Sequence, residues 1–182
     1  MYFESAGKDN TRQTLSLAAQ RARDLGIEEI VLASAKGDTA WAALEICAGF
    51  KLVVVTYHAG FKRPFEPVMP PDVKAALEKK GVTVVGATHA LSGVERSLAK
   101  KFPAAYPVLI MAETLRLFGQ GTKVAVEISI MAADAGALSG KDIVSIGGTA
   151  RGADTALVLK PASQSDVFDM RIREIICKPR NF

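Results

Sequence analysis

EEIVLASAKGDTAWAALEICAGFKLVVVTY, residues 28–57, indicates the fold class of this sequence. It opens with a short apolar run at 29–33, continues with an alanine-rich segment at 39–48, and closes with the β-branched run 51–57. A buried strand, a helix and a second buried strand in this order make a βαβ unit, in which the two strands lie parallel in one sheet. The stretch therefore predicts an α/β protein.

The same alternation extends to both sides of this stretch. It predicts strands at 1–3, 82–86, 142–147, 154–160 and 172–177, and helices at 11–25, 72–80, 91–101 and 106–118. Short loops join the last strands, which predicts that some of their pairing is antiparallel. The pattern indicates a three-layer α/β/α sandwich with a mostly parallel, mixed sheet, in a single domain over 1–182.

Three segments need a separate interpretation. Residues 121–139 suit a strand or a helix, but apolar residues continue at helical spacing, which favours a long buried helix. Residues 58–71 contain four prolines and predict an irregular surface loop of a length that is often functional. Asn10 precedes the first helix and Gln13 follows three residues later, so we expect a capping box there.

The composition argues against several classes of protein. The 182 residues carry 23 basic and 19 acidic side chains, an excess too small and too evenly spread for binding nucleic acid or a membrane surface. Neither a signal peptide nor an apolar stretch of about 18 uncharged residues is present, so we expect a cytoplasmic protein without a membrane span. Cys47 and Cys177 lie in apolar runs and are expected to be reduced core residues.

Three loops at predicted strand ends share one composition. SAGKDNT at 5–11, SAKGDT at 34–39 and TARGADT at 149–155 each contain hydroxyls, a cation, a glycine and an aspartate. Ligands of open α/β sheets bind at the carboxyl ends of strands, and such loops suit a phosphate, because glycine admits close backbone N–H groups and helix N-termini favour anions. The candidate binding residues are Ser5, Gly7, Asn10, Thr11, Ser34, Lys36, Gly37, Asp38, Thr39, Gly147, Gly148, Thr149, Arg151 and Gly152.

An ordinary structural explanation exists for each loop taken singly. Serine, threonine, asparagine and aspartate before a helix are common caps, and glycine is common in turns. None of the loops matches a P-loop or the G-x-G-x-x-G pattern. Because three such loops occur together, we favour a binding site of a non-standard kind.

The two histidines are the candidate catalytic residues. His58 and His89 each follow a predicted strand, so both can reach the same crevice as acid–base groups, although a structural role stays open for each. Neither has a cysteine or carboxylate clustered with it, so no metal site is predicted. Trp41 and Phe61 are candidates for stacking on a ring, although Trp41 equally suits a helix residue packed on the sheet.

With these residues in view, the sequence resembles the C-terminal α/β domain of pyruvate kinase, and more closely the stand-alone proteins similar to this domain. The resemblance is strongest over 28–57, and VEISIMAADAG at 126–136 and GGTARGADTALVLKP at 147–161 resemble the stand-alone group. It implies that Ser34, Lys36, Gly37, Asp38 and Thr39 hold a phosphate, as the corresponding loop of the kinase holds one from a sugar-bisphosphate effector. The loop 147–152 is then the second wall, and the kinase domain's packing against copies of itself implies a homo-oligomer.

The sequence also departs from the kinase pattern. A chain of 182 residues cannot hold the (β/α)₈ barrel in which the kinase transfers phosphate, so pyruvate kinase activity is not implied. The segments 58–71 and 91–118 have no counterpart in the pattern, so the ligand is expected to differ from a sugar bisphosphate. Flavin mononucleotide (FMN) or another nucleotide is the leading ligand.

Three functions therefore stay open. The first is a protein that binds a phosphorylated small molecule. The second is an enzyme acting on a phosphorylated metabolite, with His58 or His89 as acid–base group and Lys36 or Arg151 as an electrostatic clamp. The third is a regulatory module without a ligand of its own.

Overall fold

Strands and helices alternate along the chain in the computed structural model, which describes residues 1–182. The strands are β1 (Tyr2–Ser5), β2 (Glu29–Ala33), β3 (Lys51–Thr56), β4 (Thr83–Gly86), β5 (Ile143–Gly147), β6 (Thr155–Lys160) and β7 (Arg171–Asn181). The helices are α1 (Thr11–Asp24), α2 (Asp38–Ile46), α3 (Pro71–Lys79), α4 (Glu95–Lys101), α5 (Pro107–Arg116) and α6 (Gln120–Asp134). Two short 3₁₀ turns lie at Lys8–Asn10 and Gln164–Asp169.

The seven strands form one mixed sheet in the order β1-β7-β6-β5-β2-β3-β4. Strand β6 runs antiparallel to both of its neighbours, and every other pair is parallel. The predicted βαβ unit is present as β2–α2–β3, with Glu29 opposite Lys51 and Ala33 opposite Val55. Because only β6 is reversed, the carboxyl ends of the other six strands meet at one edge of the sheet.

Helices cover both faces of this sheet. On one face α1, α2 and α3 bury a core that includes Leu15 and Leu77 together with Leu32 of β2. On the other face α5 and α6 pack over a second core that includes Val31 of the same strand. Successive residues of β2 thus point into opposite cores, as a strand buried on both sides requires. The three-layer α/β/α sandwich with a mostly parallel sheet is confirmed.

The ambiguous segment 121–139 is helical over most of its length, as α6, and it is buried on nearly every side. Two glycines let α6 lie this close to the sheet. A Cβ on Gly147 would fall 2.8 Å from the backbone nitrogen of Ala125, and one on Gly121 would fall 2.6 Å from Cβ of Thr155. The absence of these two side chains therefore sets the distance between α6 and strands β5 and β6.

The prediction of a capping box at Asn10 is wrong. Asn10 already has a helical backbone, with φ −81° and ψ −7°, because the 3₁₀ turn at Lys8–Asn10 runs directly into α1. From that conformation its side chain donates to the carbonyl of Ser5 at 2.8 Å and caps no N–H group. Gln13 donates to Sδ of Met1 at 3.3 Å instead of reaching back to the helix start.

Two element boundaries differ from the prediction for reasons of tertiary contact. Helix α4 begins at Glu95, and not at 91, because Leu91 donates its backbone N–H to Glu127 at 3.0 Å and Gly93 turns the chain with φ +42°. Strand β7 continues to Asn181 because its second half pairs with β1.

The two cysteines are free and buried, as predicted. Burial raises the pKa of Cys47 to about 11, and it raises the pKa of Cys177 to about 11 as well. Such thiols carry almost no thiolate near neutral pH and are unreactive. None of the helices is both long and apolar enough to cross a membrane.

The approach of α6 to the sheet yields a test of the packing. Gly147→Ala should lower the free energy of unfolding by about 1–3 kcal/mol, because the added methyl group meets helix backbone that cannot move aside. Gly86→Ala is the matched control, since its Cβ would make only ordinary contacts at 3.6 Å and should change stability by less than about 0.5 kcal/mol. Urea unfolding measures both, and equal losses in the two variants would contradict the role of Gly147.

Candidate functional site

A crevice of about 610 Å³ opens at the edge where the carboxyl ends of the strands meet. Loops after β1, β2 and β5 form one side of it, and one face of α6 forms the other. The residues after β3 and β4 contribute Tyr57 and His89. The volume is in the range of sites for small molecules and cofactors.

The loop side of the crevice carries three cations without acidic partners. Lys8, Lys36 and Arg151 line the crevice and are exposed, and none of them forms an ion pair within the protein. Helices α1 and α2 begin beside them at Thr11 and Asp38, which also line the crevice. Unpaired cations and helix N-termini both attract anions, and together they outweigh the single carboxylate of Asp38.

In the loop 34–39, one hydroxyl forms a hydrogen bond within the protein and another is available to the crevice. Ser34 is buried, and its Oγ accepts the N–H of Ala40 at 3.3 Å. Thr39 lines the crevice, and its hydroxyl forms no hydrogen bond within the protein. Gly37 lies outside the lining with φ +109°, and a Cβ there would fall 2.6 Å from Val73. The glycine therefore makes the turn, and Thr39 has a hydroxyl free for a ligand.

The loops after β1 and β5 are held together by a buried carboxylate. Asp154 is fully buried, and its Oδ2 accepts the backbone N–H groups of Gly7 at 3.0 Å and Thr149 at 3.1 Å. Its Oδ1 accepts the hydroxyl of Thr155 at 2.8 Å. Gly7 and Asp154 are 147 residues apart in the sequence, yet this side chain joins the two loops that contain them.

A second set of contacts closes the same junction. Thr11 Oγ1 donates to the carbonyl of Lys8 at 2.6 Å and accepts the N–H of Ala153 at 3.0 Å. Gly152 has φ +73°, and a Cβ there would lie 2.7 Å from Cα of Lys8. Glycine is thus required at 152 both by the backbone conformation and by the contact with the first loop.

The structure divides the candidate residues into two groups. Those that line the crevice are Thr11, Ser34, Lys36, Asp38, Thr39, Gly148, Arg151, Gly152 and His89. Those outside its lining are Ser5, Gly7, Asn10, Gly37, Gly147, Thr149 and His58. Gly7 and Thr149 stand behind the wall as donors to Asp154, and Gly147 ends β5 beneath α6. The binding roles of the first group remain predictions.

The histidines lie together but differ in their access to the crevice. The rings of His58 and His89 are 5.5 Å apart, edge to face, and His89 alone lines the crevice. Phe61 stacks on Tyr57 at 4.1 Å, so one of its faces is already covered, and Trp41 lies outside the lining. Burial lowers the pKa of His89, against an opposing effect of the nearby Glu127 carboxylate, so the imidazole is neutral near pH 7.

Sequence reasoning missed the wall that α6 contributes. Gln120, Val124, Glu127, Ile128 and Met131 line the crevice at the spacing of one helix face. The one signal in the sequence was a lysine at 123 and a glutamate four residues later inside an apolar segment, a spacing that allows an ion pair on a helix. No group of three or more histidine, cysteine, aspartate or glutamate side chains lies close enough to hold a metal ion.

Comparisons with known proteins give one family. A family model described as the pyruvate kinase alpha/beta domain matches residues 12–159. Among solved structures, the chain is similar to a pyruvate kinase from Cryptosporidium parvum, with 14% identity and a TM-score of 0.39 over 76% of this chain and 20% of that chain. The pyruvate kinase of the same organism in complex with ADP gives 15% identity and a TM-score of 0.40 over 81% of this chain and 22% of that chain. The chain thus spans 20–22% of the length of these two kinases.

The junction between the two loops can be tested through its buried carboxylate. Asp154→Asn should lower the free energy of unfolding by about 2–3 kcal/mol, because an amide cannot accept all three hydrogen bonds made to the carboxylate. It should also speed hydrogen exchange at the amides of Gly7 and Thr149. Asp9→Asn, at an exposed aspartate of the loop 5–11 whose side chain makes no hydrogen bond, is the control. Unchanged exchange at both amides would show that Asp154 does not join the loops.

Proposed function

The chain belongs to the family of the pyruvate kinase α/β domain, and on that premise we propose that its crevice binds a small phosphorylated ligand. The observation that carries this proposal is the unpaired charge of Lys8, Lys36 and Arg151 on one wall. A phosphate there would meet these cations together with the N-terminal ends of α1 and α2. The proposal concerns binding and does not include phosphoryl transfer.

The phosphate is proposed to lie between the loop 34–39 and Arg151. Lys36 and Arg151 supply charge from two different loops on the same side of the crevice, and the Thr39 hydroxyl supplies a donor that the protein does not use. Gly148 lines the same wall, and its lack of a side chain leaves room for an anion to approach the backbone. In this proposal the loop 147–152 holds the phosphate together with 34–39, which is the role that the resemblance implied for it.

The rest of the ligand is proposed to be an apolar or planar group. Val55, Val124, Ile128 and Met131 also line the crevice, so the site combines charged loops with an aliphatic surface. FMN, which joins a phosphate to a flat ring system, is the leading ligand, and other nucleotides are the alternatives. A sugar phosphate would use the charged end and leave the aliphatic surface against water, which is less favourable.

Binding of FMN and inorganic phosphate tests this proposal directly. Calorimetry of the wild type should detect both ligands, and the double variant Lys36→Met, Thr39→Val should weaken each affinity at least tenfold. Two donors to the phosphate are lost in this variant, and one charge-assisted hydrogen bond alone contributes about 1.5–3 kcal/mol. Lys160→Met removes an exposed lysine that does not line the crevice and should change neither affinity. A wild type that binds neither ligand would disprove the proposal.

A second candidate function is an enzyme in which His89 is the acid–base group. It is favoured by one observation, that the imidazole of His89 and the carboxylate of Glu127 both line the crevice. A neutral histidine is able to accept a proton from a bound metabolite, and a nearby carboxylate stabilises the imidazolium that forms. His58 lies outside the lining and is assigned no such role.

The enzyme hypothesis predicts different effects on turnover for substitutions of the two histidines. In a mass-spectrometric screen of phosphorylated metabolites, His89→Asn should lower any turnover by about 100-fold or more, and His58→Asn should leave it nearly unchanged. The two substitutions are chemically identical, so the second is the control for the first. Turnover that survives in the double variant would rule out an acid–base role for either residue.

A further inference from the structure

A glutamine side chain belongs to the wall of the crevice that α6 provides. Gln120 is the first residue of this helix and lines the crevice. The crevice-lining residues that follow it in α6 are Val124, Glu127, Ile128 and Met131. Their spacings of four, seven, eight and eleven residues from Gln120 place all five on one face of the helix. The side chain of Gln120 therefore points toward the crevice.

The amide of Gln120 has one end in use and one end free. Nε of Arg116, at the end of α5, donates to Oε1 of Gln120 at 2.8 Å. A guanidinium has donors only, so the amide atom that faces it is the oxygen. The NH₂ group of the amide has two donors, and neither forms a hydrogen bond within the protein. Because Arg116 lies outside the lining of the crevice, the NH₂ group is the polar end that is left for a ligand.

A second contact fixes the guanidinium that holds this amide. Nη1 of Arg116 donates to Glu113, three residues earlier in the same helix. The two contacts use different nitrogen atoms of one rigid, planar group, and the carboxylate of Glu113 balances its charge. Arg116 is thus a positioning residue, which sets the direction of the Gln120 amide without lining the crevice itself.

The two sides of the crevice meet at the N-terminal end of α6. A Cβ on Gly147 would collide with the carbonyl oxygen of Gly121, so the end of β5 and the start of α6 are in contact. Gly148 follows Gly147 and Gln120 precedes Gly121, and both of these neighbours line the crevice. The amide of Gln120 therefore lies beside the loop 147–152, where the phosphate is proposed to approach the backbone.

We infer that Gln120 is a binding residue for the phosphate of the ligand, whose oxygens accept its two N–H groups from the α6 wall while the cations act from the loops. This inference rests on the proposed function. The start of a helix carries a partial positive charge, so donors at this place favour an anionic oxygen over a neutral one. A phosphate monoester has three terminal oxygens and can accept from both walls at once. The ligand class is then a monoester with a terminal phosphate.

The substitution Gln120→Glu tests this role with little change in shape. It keeps an acceptor for Arg116 but replaces the NH₂ group by a carboxylate oxygen, which repels a phosphate dianion and accepts a proton from the monoanion. Inorganic phosphate is the probe, and calorimetry compares each variant with the wild type at the same pH. The variant should bind it at least tenfold more weakly at about pH 8, and the loss should be much smaller at about pH 5.5, where phosphate is a monoanion.

A neutral variant isolates the loss of the donors. Gln120→Met should weaken the binding of phosphate by about tenfold at both pH values, because a hydrogen bond to a charged group is lost and no charge is added. Arg116→Met should weaken binding in the wild type but have no further effect in the Gln120→Met background, since Arg116 acts only through the amide. Gln164→Glu is the control, because it adds the same charge at an exposed glutamine outside the lining and should leave the affinity unchanged.

Three results would overturn the role of Gln120. They are a Gln120→Met variant with wild-type affinity, a Gln120→Glu variant with equal losses at the two pH values, and an effect of Arg116→Met that persists in the Gln120→Met background. If the double variant Lys36→Met, Thr39→Val still loses affinity, the proposed phosphate site stands without this residue. A wild type that binds neither phosphate nor FMN would instead disprove the proposed function, and the role of Gln120 with it.

Discussion

The crevice exists because helix α6 lies in close contact with strands β5 and β6. Gly147 and Gly121 carry no side chains at the points of approach, so the helix backbone lies directly on the sheet. The same contact turns the face of α6 that begins at Gln120 and includes Glu127 toward the carboxyl edge of the sheet. Without it the loops would border an open surface, because α6 is the wall that converts the edge into a crevice.

Three loops of similar composition perform different tasks in this arrangement. In two of them the aspartate, threonine and glycine residues serve mainly to join the loops, as the contacts of Asp154 and Thr11 show. The Thr39 hydroxyl of 34–39 has no partner in the protein and lines the crevice, whereas the unpartnered hydroxyl of Thr149 in the third loop lies outside the lining. The junction between 5–11 and 149–155 therefore fixes the positions of Lys8 and Arg151 relative to each other.

The sequence predicted the elements well because their signals are local. The β-branched run 51–57 and the helix that precedes it are each predicted from a few neighbouring residues. Parallel strands then bring the loops at their carboxyl ends to one edge of the sheet. The contacts that sequence reasoning missed join residues far apart in the chain, such as Leu91 with Glu127. The same limit applies to the histidines, since both follow strands and only tertiary packing decides that His89 reaches the crevice.

The charged groups of the two walls of the crevice differ in their exposure to solvent, and this difference decides which of them attract an anion. Lys36 and Arg151 are exposed, so water and salt screen their attraction for an anion and any phosphate ester can use it. Glu127 lines the α6 wall and is shielded from water, and because Lys123 balances its charge within the protein it adds no unpaired charge to the crevice. Net charge is only +4, and no count of residues reveals such a division. It arises because α6 buries one lysine beside the crevice while the loops leave the others in solvent.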